Sequence, residues 1–185
     1  RFTREGMKQL IGLNRPAAIE KFPQLFPGCP ESGEACLQRY RAWMDDYIRE
    51  NGVPVKPGLR ELLAWLKQAH ILCAVATSTF TNVAIGYLKN AGVLNCFAAI
   101  VGGDQVTKSK PDPEIFQLAM RALGKQTPET CVVFEDSRNG LLAGANGGFP
   151  VIVVPDLFDP TLELPGLCYA KCARLDEAID VIQNS

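Results

Sequence analysis

The sequence predicts an α/β fold: a parallel sheet whose strands alternate with helices, behind a helical N-terminal segment. Two observations carry this. From Leu59 onward, helical patterns alternate with short, nearly continuous apolar runs: ILCAVA (71–76), FAAIV (97–101), CVVF (131–134) and VIVV (151–154). Runs buried on both faces and spaced by helices mean βαβ units. Residues 1–52 instead follow helical spacing.

Taken in order, the N-terminal segment is clearest in ESGEACLQRYRAWMDDYIRENG. There Cys36/Leu37, Tyr40, Trp43/Met44 and Tyr47/Ile48 recur at three- and four-residue steps and share one face. Glu31 and Glu34 favour the start of this helix and Gly52 its end. PQLFPGCP, just before it, reads as a Pro-rich loop. VPVKPG (53–58) is the clearest boundary, because its prolines resist both helix and central strand. Beyond it, helices are expected over 59–69, about 81–91, 113–124, about 138–146 and the closing LDEAIDVIQN. The one histidine, His70, stands at a helix-to-strand turn and reads as structural.

Composition bounds the function. With 185 residues and 47% hydrophobic content, the chain can bury one large domain, or a core with a small appendage. A net charge of −1 argues against a nucleic-acid footprint or a polybasic membrane patch. No apolar stretch is long enough to span a bilayer, and RFTREGMKQL lacks the apolar region of a signal peptide. Seven cysteines, an odd number with no CxxC, disfavour a zinc site or a disulfide framework. A cytoplasmic setting fits best.

In a parallel α/β sheet, ligands bind outside the carboxyl ends of the strands. The residues there are Thr77-Ser78-Thr79, then Gly102-Gly103-Asp104 with KSKPDP, then Glu135-Asp136-Ser137, then Pro155-Asp156. Hydroxyls and main-chain N–H groups at 77–79 suit phosphate oxygens. Lys110 brings a positive charge. Two adjacent acids with no neighbouring arginine want a cation, and oxygen ligands suit Mg²⁺. Singly, each has a plainer reading: a hydroxyl cap, a surface lysine, and first-turn acids complementing a helix dipole. Together, at three strand ends in one sheet order, they compose an assembly for phosphoryl transfer.

These residues resemble the haloacid dehalogenase superfamily, in the branch containing β-phosphoglucomutase and small sugar-phosphate phosphatases. ILCAVAT with Thr77 matches its second motif, SKPDPEIF with Lys110 its third, and VVFEDSRNGLLAGANGG with Glu135 and Asp136 its fourth. VKPGLRELLAWLKQA matches the return from cap to core. The resemblance implies a Rossmann-like core over 54–185 and an incomplete helical cap over 1–53. It implies that Thr77 and Lys110 are catalytic, that Thr77, Ser78 and Lys110 bind the phosphoryl group, and that Asp136 and Glu135 hold Mg²⁺. Ser137 and Asn139 support that loop. IGLNRPAAIEKF resembles the cap loop over the active site, where Arg15 would contact the distal part of the substrate. The residues themselves offer another reading: Asn14 as a helix cap and Pro16 in the first turn, leaving Arg15 in solvent.

The family nucleophile belongs to an Asp-x-Asp-Gly motif that this sequence lacks, and Asp45-Asp46 in mid-helix is a poor substitute. The expectation is therefore that this motif, and the first core strand carrying it, precede Arg1. The expected function is a Mg²⁺-dependent phosphatase of small phosphorylated metabolites, acting through an aspartyl phosphate, as a monomer or homodimer. Two alternatives stay open: a β-phosphoglucomutase, weakened by Asn14 where those enzymes favour a hydroxyl, and a non-catalytic metabolite-binding domain.

Overall fold

In a computed structural model of the chain, residues 3–184 are described. Three helices come first: α1 (Arg4–Leu10), α2 (Arg15–Leu25) and α3 (Gly33–Asn51). Each begins on a polar cap. The side chains of Thr3, Asn14 and Ser32 accept the N–H groups of Gly6, Ala17 and Ala35. Helix α2 continues through Pro23 to Leu25, so the first three residues of the expected PQLFPGCP loop are helical. Pro23 removes a helix hydrogen bond. Its neighbours Phe22 and Phe26 are buried, with ring centroids 5.1 Å apart, and their packing offsets that loss.

After the connector come α4 (Leu59–Gln68), β1 (Ala74–Ala76), α5 (Thr81–Asn90), β2 (Ala99–Val101) and α6 (Glu114–Ala122). Then follow β3 (Val133–Glu135), α7 (Arg138–Asn146), β4 (Val151–Val153), β5 (Ala170–Lys171) and α8 (Ala178–Gln183). Every pairing is parallel, in two ladders: β1 with β2, and β3–β4–β5. Among the described residues, no ladder joins β1 to β3. Each expected apolar run forms a strand: over the last three residues of ILCAVA and FAAIV, over the end of CVVF and one position beyond, and over the first three residues of VIVV. β5, in CYAK, is an addition; two half-exposed residues give no apolar run to detect.

β4 shows why such runs are unbroken. Val151 and Val153 enter a core cluster with Ile115, Phe116, Met120 and Leu141 from α6 and α7. Ile152 and Val154 point the other way, into a cluster with Leu62, Leu63, Leu66 and Ala178 from α4 and α8. Alternate side chains leave opposite faces of a strand, and here both faces are covered. Burying each such aliphatic side chain stabilises the fold by about 1.5–3 kcal/mol.

Helix α4 stops at His70, which takes a left-handed φ of 56°. The Ile71 N–H bonds back to the Leu66 carbonyl at 2.9 Å and the His70 N–H to Lys67 at 3.2 Å, closing a Schellman-type end. The structural reading of His70 agrees with this. The seven cysteines carry free thiols. Among the described residues, no helix is long and apolar enough to cross a membrane.

Candidate active site

Because the strands are parallel, their carboxyl ends share one edge. Thr77 follows β1; its N–H continues the ladder to the Val101 carbonyl at 2.9 Å. Its hydroxyl oxygen accepts the Thr79 N–H at 3.2 Å, which leaves the hydroxyl proton for another acceptor.

Lys110 comes from the loop between β2 and α6 and is 5% exposed. Its ammonium donates to the Ala76 carbonyl at 3.3 Å and to Glu135 Oε1 at 2.5 Å, so one side chain spans the two ladders. The Phe116 ring lies under it, 4.6 Å away. Glu114, from the first turn of α6, holds the loop ahead of Lys110. Its carboxylate accepts the Lys108 N–H at 2.7 Å, the Thr107 N–H at 3.1 Å and the Thr107 hydroxyl at 3.0 Å. Those bonds, the Lys108 N–H first, hold the Glu114 carboxyl below its ordinary pKa.

Glu135 ends β3. Its Oε2 accepts the N–H groups of Asp136 and Ser137 and the Ser137 hydroxyl, at 3.0 to 3.3 Å. Both carboxylate oxygens are thus engaged within the protein. The carboxylate lies against α7 at Gly140, where an added Cβ would stand 1.9 Å from Glu135 Cδ.

Asp136 is turned differently. Its carboxylate is half-buried; burial, then the neighbouring Glu135 charge, raise its pKa above the ordinary value, against the pull of Lys56 and, more weakly, Lys110. The Lys56 ammonium stands 3.6 Å from Asp136 Oδ2, 3.5 Å from Asp156 Oδ2 and 3.5 Å from the Pro155 carbonyl. Three oxygens around one cation form an all-oxygen locus. Among the described residues no three acidic, His or Cys side chains converge on a point. The donors fit Mg²⁺ held by one or two carboxylates, with water and substrate oxygens completing its shell.

Over this edge lies an open cleft of about 1440 Å³. Thr77, Lys110 and Asp136 line one side; Arg15, Tyr40 and Trp43 line the other. Trp43 stacks on Tyr47 with centroids 5.8 Å apart. Arg15 lines the cleft wall but is paired with Glu34 at 2.9 Å. Ser78, expected to bind phosphate, donates its hydroxyl proton to the Gly12 carbonyl at 2.6 Å. The structure therefore brings Thr77, Lys110, Glu135 and Asp136 together and turns Ser78 toward the α1–α2 loop. Sequence reasoning missed three contributors: Lys56, Glu114 and Gly140. The only trace of Lys56 was its place in VPVKPG, and of Gly140 its place after Asn139 in a first helical turn.

A family model described as haloacid dehalogenase-like hydrolase matches residues 2–148, and the chain belongs to that family. It is 42% identical over 103 residues to the phosphorylated carbohydrates phosphatase of Thermotoga maritima, covering 56% of this chain and 45% of that protein. It is 31% identical over 152 residues to hexitol phosphatase B of Escherichia coli, covering 82% and 68% respectively. Of the first relatives it matches, the chain spans about half the length or less. Among solved structures, CbbY of Rhodobacter sphaeroides in complex with phosphate superposes with a TM-score of 0.77 at 26% identity, over 96% of this chain and 80% of that one. The same protein in complex with xylulose-(1,5)bisphosphate gives 0.75 at 27%, over 95% and 80%. The two structural likenesses cover nearly all of this chain.

Proposed function

We propose that the protein carrying this chain is a Mg²⁺-dependent phosphatase of small phosphorylated metabolites, sugar phosphates foremost. One observation carries the reading: a free hydroxyl proton at Thr77, a buried ammonium at Lys110 and a cation-seeking carboxylate at Asp136 face the same cleft. The Thermotoga and Escherichia relatives, a phosphorylated carbohydrates phosphatase and a hexitol phosphatase, support the substrate class.

In this reading residues 1–53 act as a cap over the core of 54–185. Thr77 donates to a phosphoryl oxygen. Lys110, fixed by Ala76 and Glu135, offsets charge on the transferring group. Asp136, with Asp156 beside it, holds Mg²⁺, while Glu135 fixes Lys110 and the start of α7. When bound, Mg²⁺ supplies charge stabilisation at the phosphoryl oxygens. The covalent step passes through an aspartyl phosphate, and none of the residues described is assigned as the attacking aspartate.

The test is phosphate release by the natural gene product from a panel of sugar phosphates, with Mg²⁺ and with a chelator. Chelation should abolish turnover, and Asp136→Asn should lower Mg²⁺ affinity by calorimetry together with turnover. Binding of sugar phosphates with no phosphate released would overturn the reading in favour of a binding module. Conversion of β-glucose 1-phosphate to an isomer, without release, would instead make it a mutase.

A further inference from the structure

We propose that Ser78 and Asn139 are positioning residues that seat the Ile11–Asn14 loop on the strand tips, and that this seat sets the reach of Arg15 into the cleft. The catalytic part of this inference rests on the phosphatase reading; the seat itself does not.

Two consecutive carbonyls of the loop are taken by side chains far away in sequence. Ile11 O accepts from Asn139 Nδ2 at 2.8 Å, and Gly12 O from the Ser78 hydroxyl at 2.6 Å. The donors come from different ladders: Ser78 follows β1, and Asn139 lies in the first turn of α7 after β3. Asn139 is 6% exposed, so leaving its amide unpaired would be costly. The loop backbone is shaped to this seat. Gly12 has a φ of +84°, and a Cβ there would stand 2.9 Å from Ser137 Oγ and 3.2 Å from Asn139 Cβ. Asn14, also buried, packs over Gly103, where a Cβ would stand 3.3 Å from Asn14 Cβ. The loop therefore touches the chain beyond β1, β2 and β3 together.

What the loop carries explains why its position matters. Asn14 caps α2, and Arg15 is the first residue of that helix, on the cleft wall. A shift of the loop moves the start of α2 and the Arg15 side chain with it. Ser78 has one hydroxyl proton, and Gly12 O takes it, so Ser78 cannot also donate that proton to a phosphoryl oxygen. Phosphoryl binding falls to Thr77 and Lys110, and Ser78 acts through the loop.

The experiment compares Ser78→Ala, Ser78→Thr and Asn139→Ala with wild type in the natural protein. Amide hydrogen exchange is read first, without substrate or metal. Exchange over residues 11–18 should quicken about fivefold in both alanine variants, the weight of one hydrogen bond. It should stay near wild type in Ser78→Thr, while the β4 amides keep their protection. Unchanged exchange over 11–18, or acceleration spread equally through β4, overturns the seat. Kinetics are read second. The KM for sugar phosphates should rise severalfold in the alanine variants, while inhibition by inorganic phosphate stays the same. If Ser78→Ala weakens inorganic phosphate by the same factor, Ser78 is a phosphate ligand and the proposal falls. If wild type releases no phosphate from any substrate, the phosphatase reading falls and the exchange result alone decides the seat.

Discussion

The Lys110 ammonium and the Glu135 carboxylate form an ion pair at 2.5 Å, with side chains only 6% and 7% exposed. A buried pair is costly to break from one side, because the remaining charge keeps its desolvation penalty. Lys110→Met should therefore lose about 3–5 kcal/mol of stability. Adding Glu135→Gln removes the stranded charge and should recover part of that loss. Urea unfolding of the wild type, both single variants and the double variant measures the coupling. Strict additivity would show that the pair contributes nothing as a pair.

Gly140 should tolerate no side chain. The Glu135 carboxylate occupies the space a Cβ would need, at 1.9 Å. Gly140→Ala must push Glu135 off Lys110 or shift the start of α7, at a cost of about 1–3 kcal/mol typical of overpacking. Thermal unfolding checks the stability. Binding of inorganic phosphate, read by calorimetry, should weaken in parallel because Lys110 loses its fixed position.

The Glu114 clamp should be sensitive to acid. Its carboxyl pKa is lowered in the folded protein, chiefly by the Lys108 N–H. Its contribution is therefore complete above the unfolded carboxyl pKa of about 4.3 and is lost as pH falls through the folded value. In Glu114→Gln, which keeps an acceptor but no charge, that increment of acid sensitivity should disappear from the pH–stability profile. Exchange at the Thr107 and Lys108 amides should quicken at neutral pH. An unchanged profile together with unchanged exchange would remove the clamp.

His70→Gly should stabilise the protein. A left-handed backbone costs a residue with a Cβ about 1–2 kcal/mol, which glycine avoids. The greater freedom of glycine in the unfolded chain returns part of that, leaving a net gain of roughly 0.5–1 kcal/mol. A lower Tm for the variant would mean that the exposed imidazole makes a stabilising contact of its own.

The strand tips were legible because an apolar run followed by a polar residue is a signal along one dimension. Thr77, Glu135 and Asp136 declare themselves in that way, Lys110 by its place before a proline in KSKPDP, and the structure puts all four on one edge. Lys56 does not. Its prolines mark a boundary in sequence, whereas its ammonium reaches Asp136 only once the chain has folded back across 80 positions. Ser78 shows a different limit. A serine after a strand reads the same whether its proton goes to phosphate or to a loop carbonyl, and only the position of Gly12 decides. Pro23 inside α2 is a tertiary override, with the packing of Phe22 and Phe26 outweighing a local helix breaker.

The chain contains two tryptophans, and the fold places them in separate environments. Trp43 stands on α3, 59% exposed on the cleft wall beside Tyr47. Trp65 packs on α4 against the cluster around Ile152. Their fluorescence is therefore divided by depth. Emission from Trp43 should be red-shifted, open to quenchers and responsive to what enters the cleft; emission from Trp65, partly buried, should be better shielded and change when the core opens. The protein carries its own pair of optical probes, one for occupancy and one for integrity, and either can be silenced by Phe without a dye being attached.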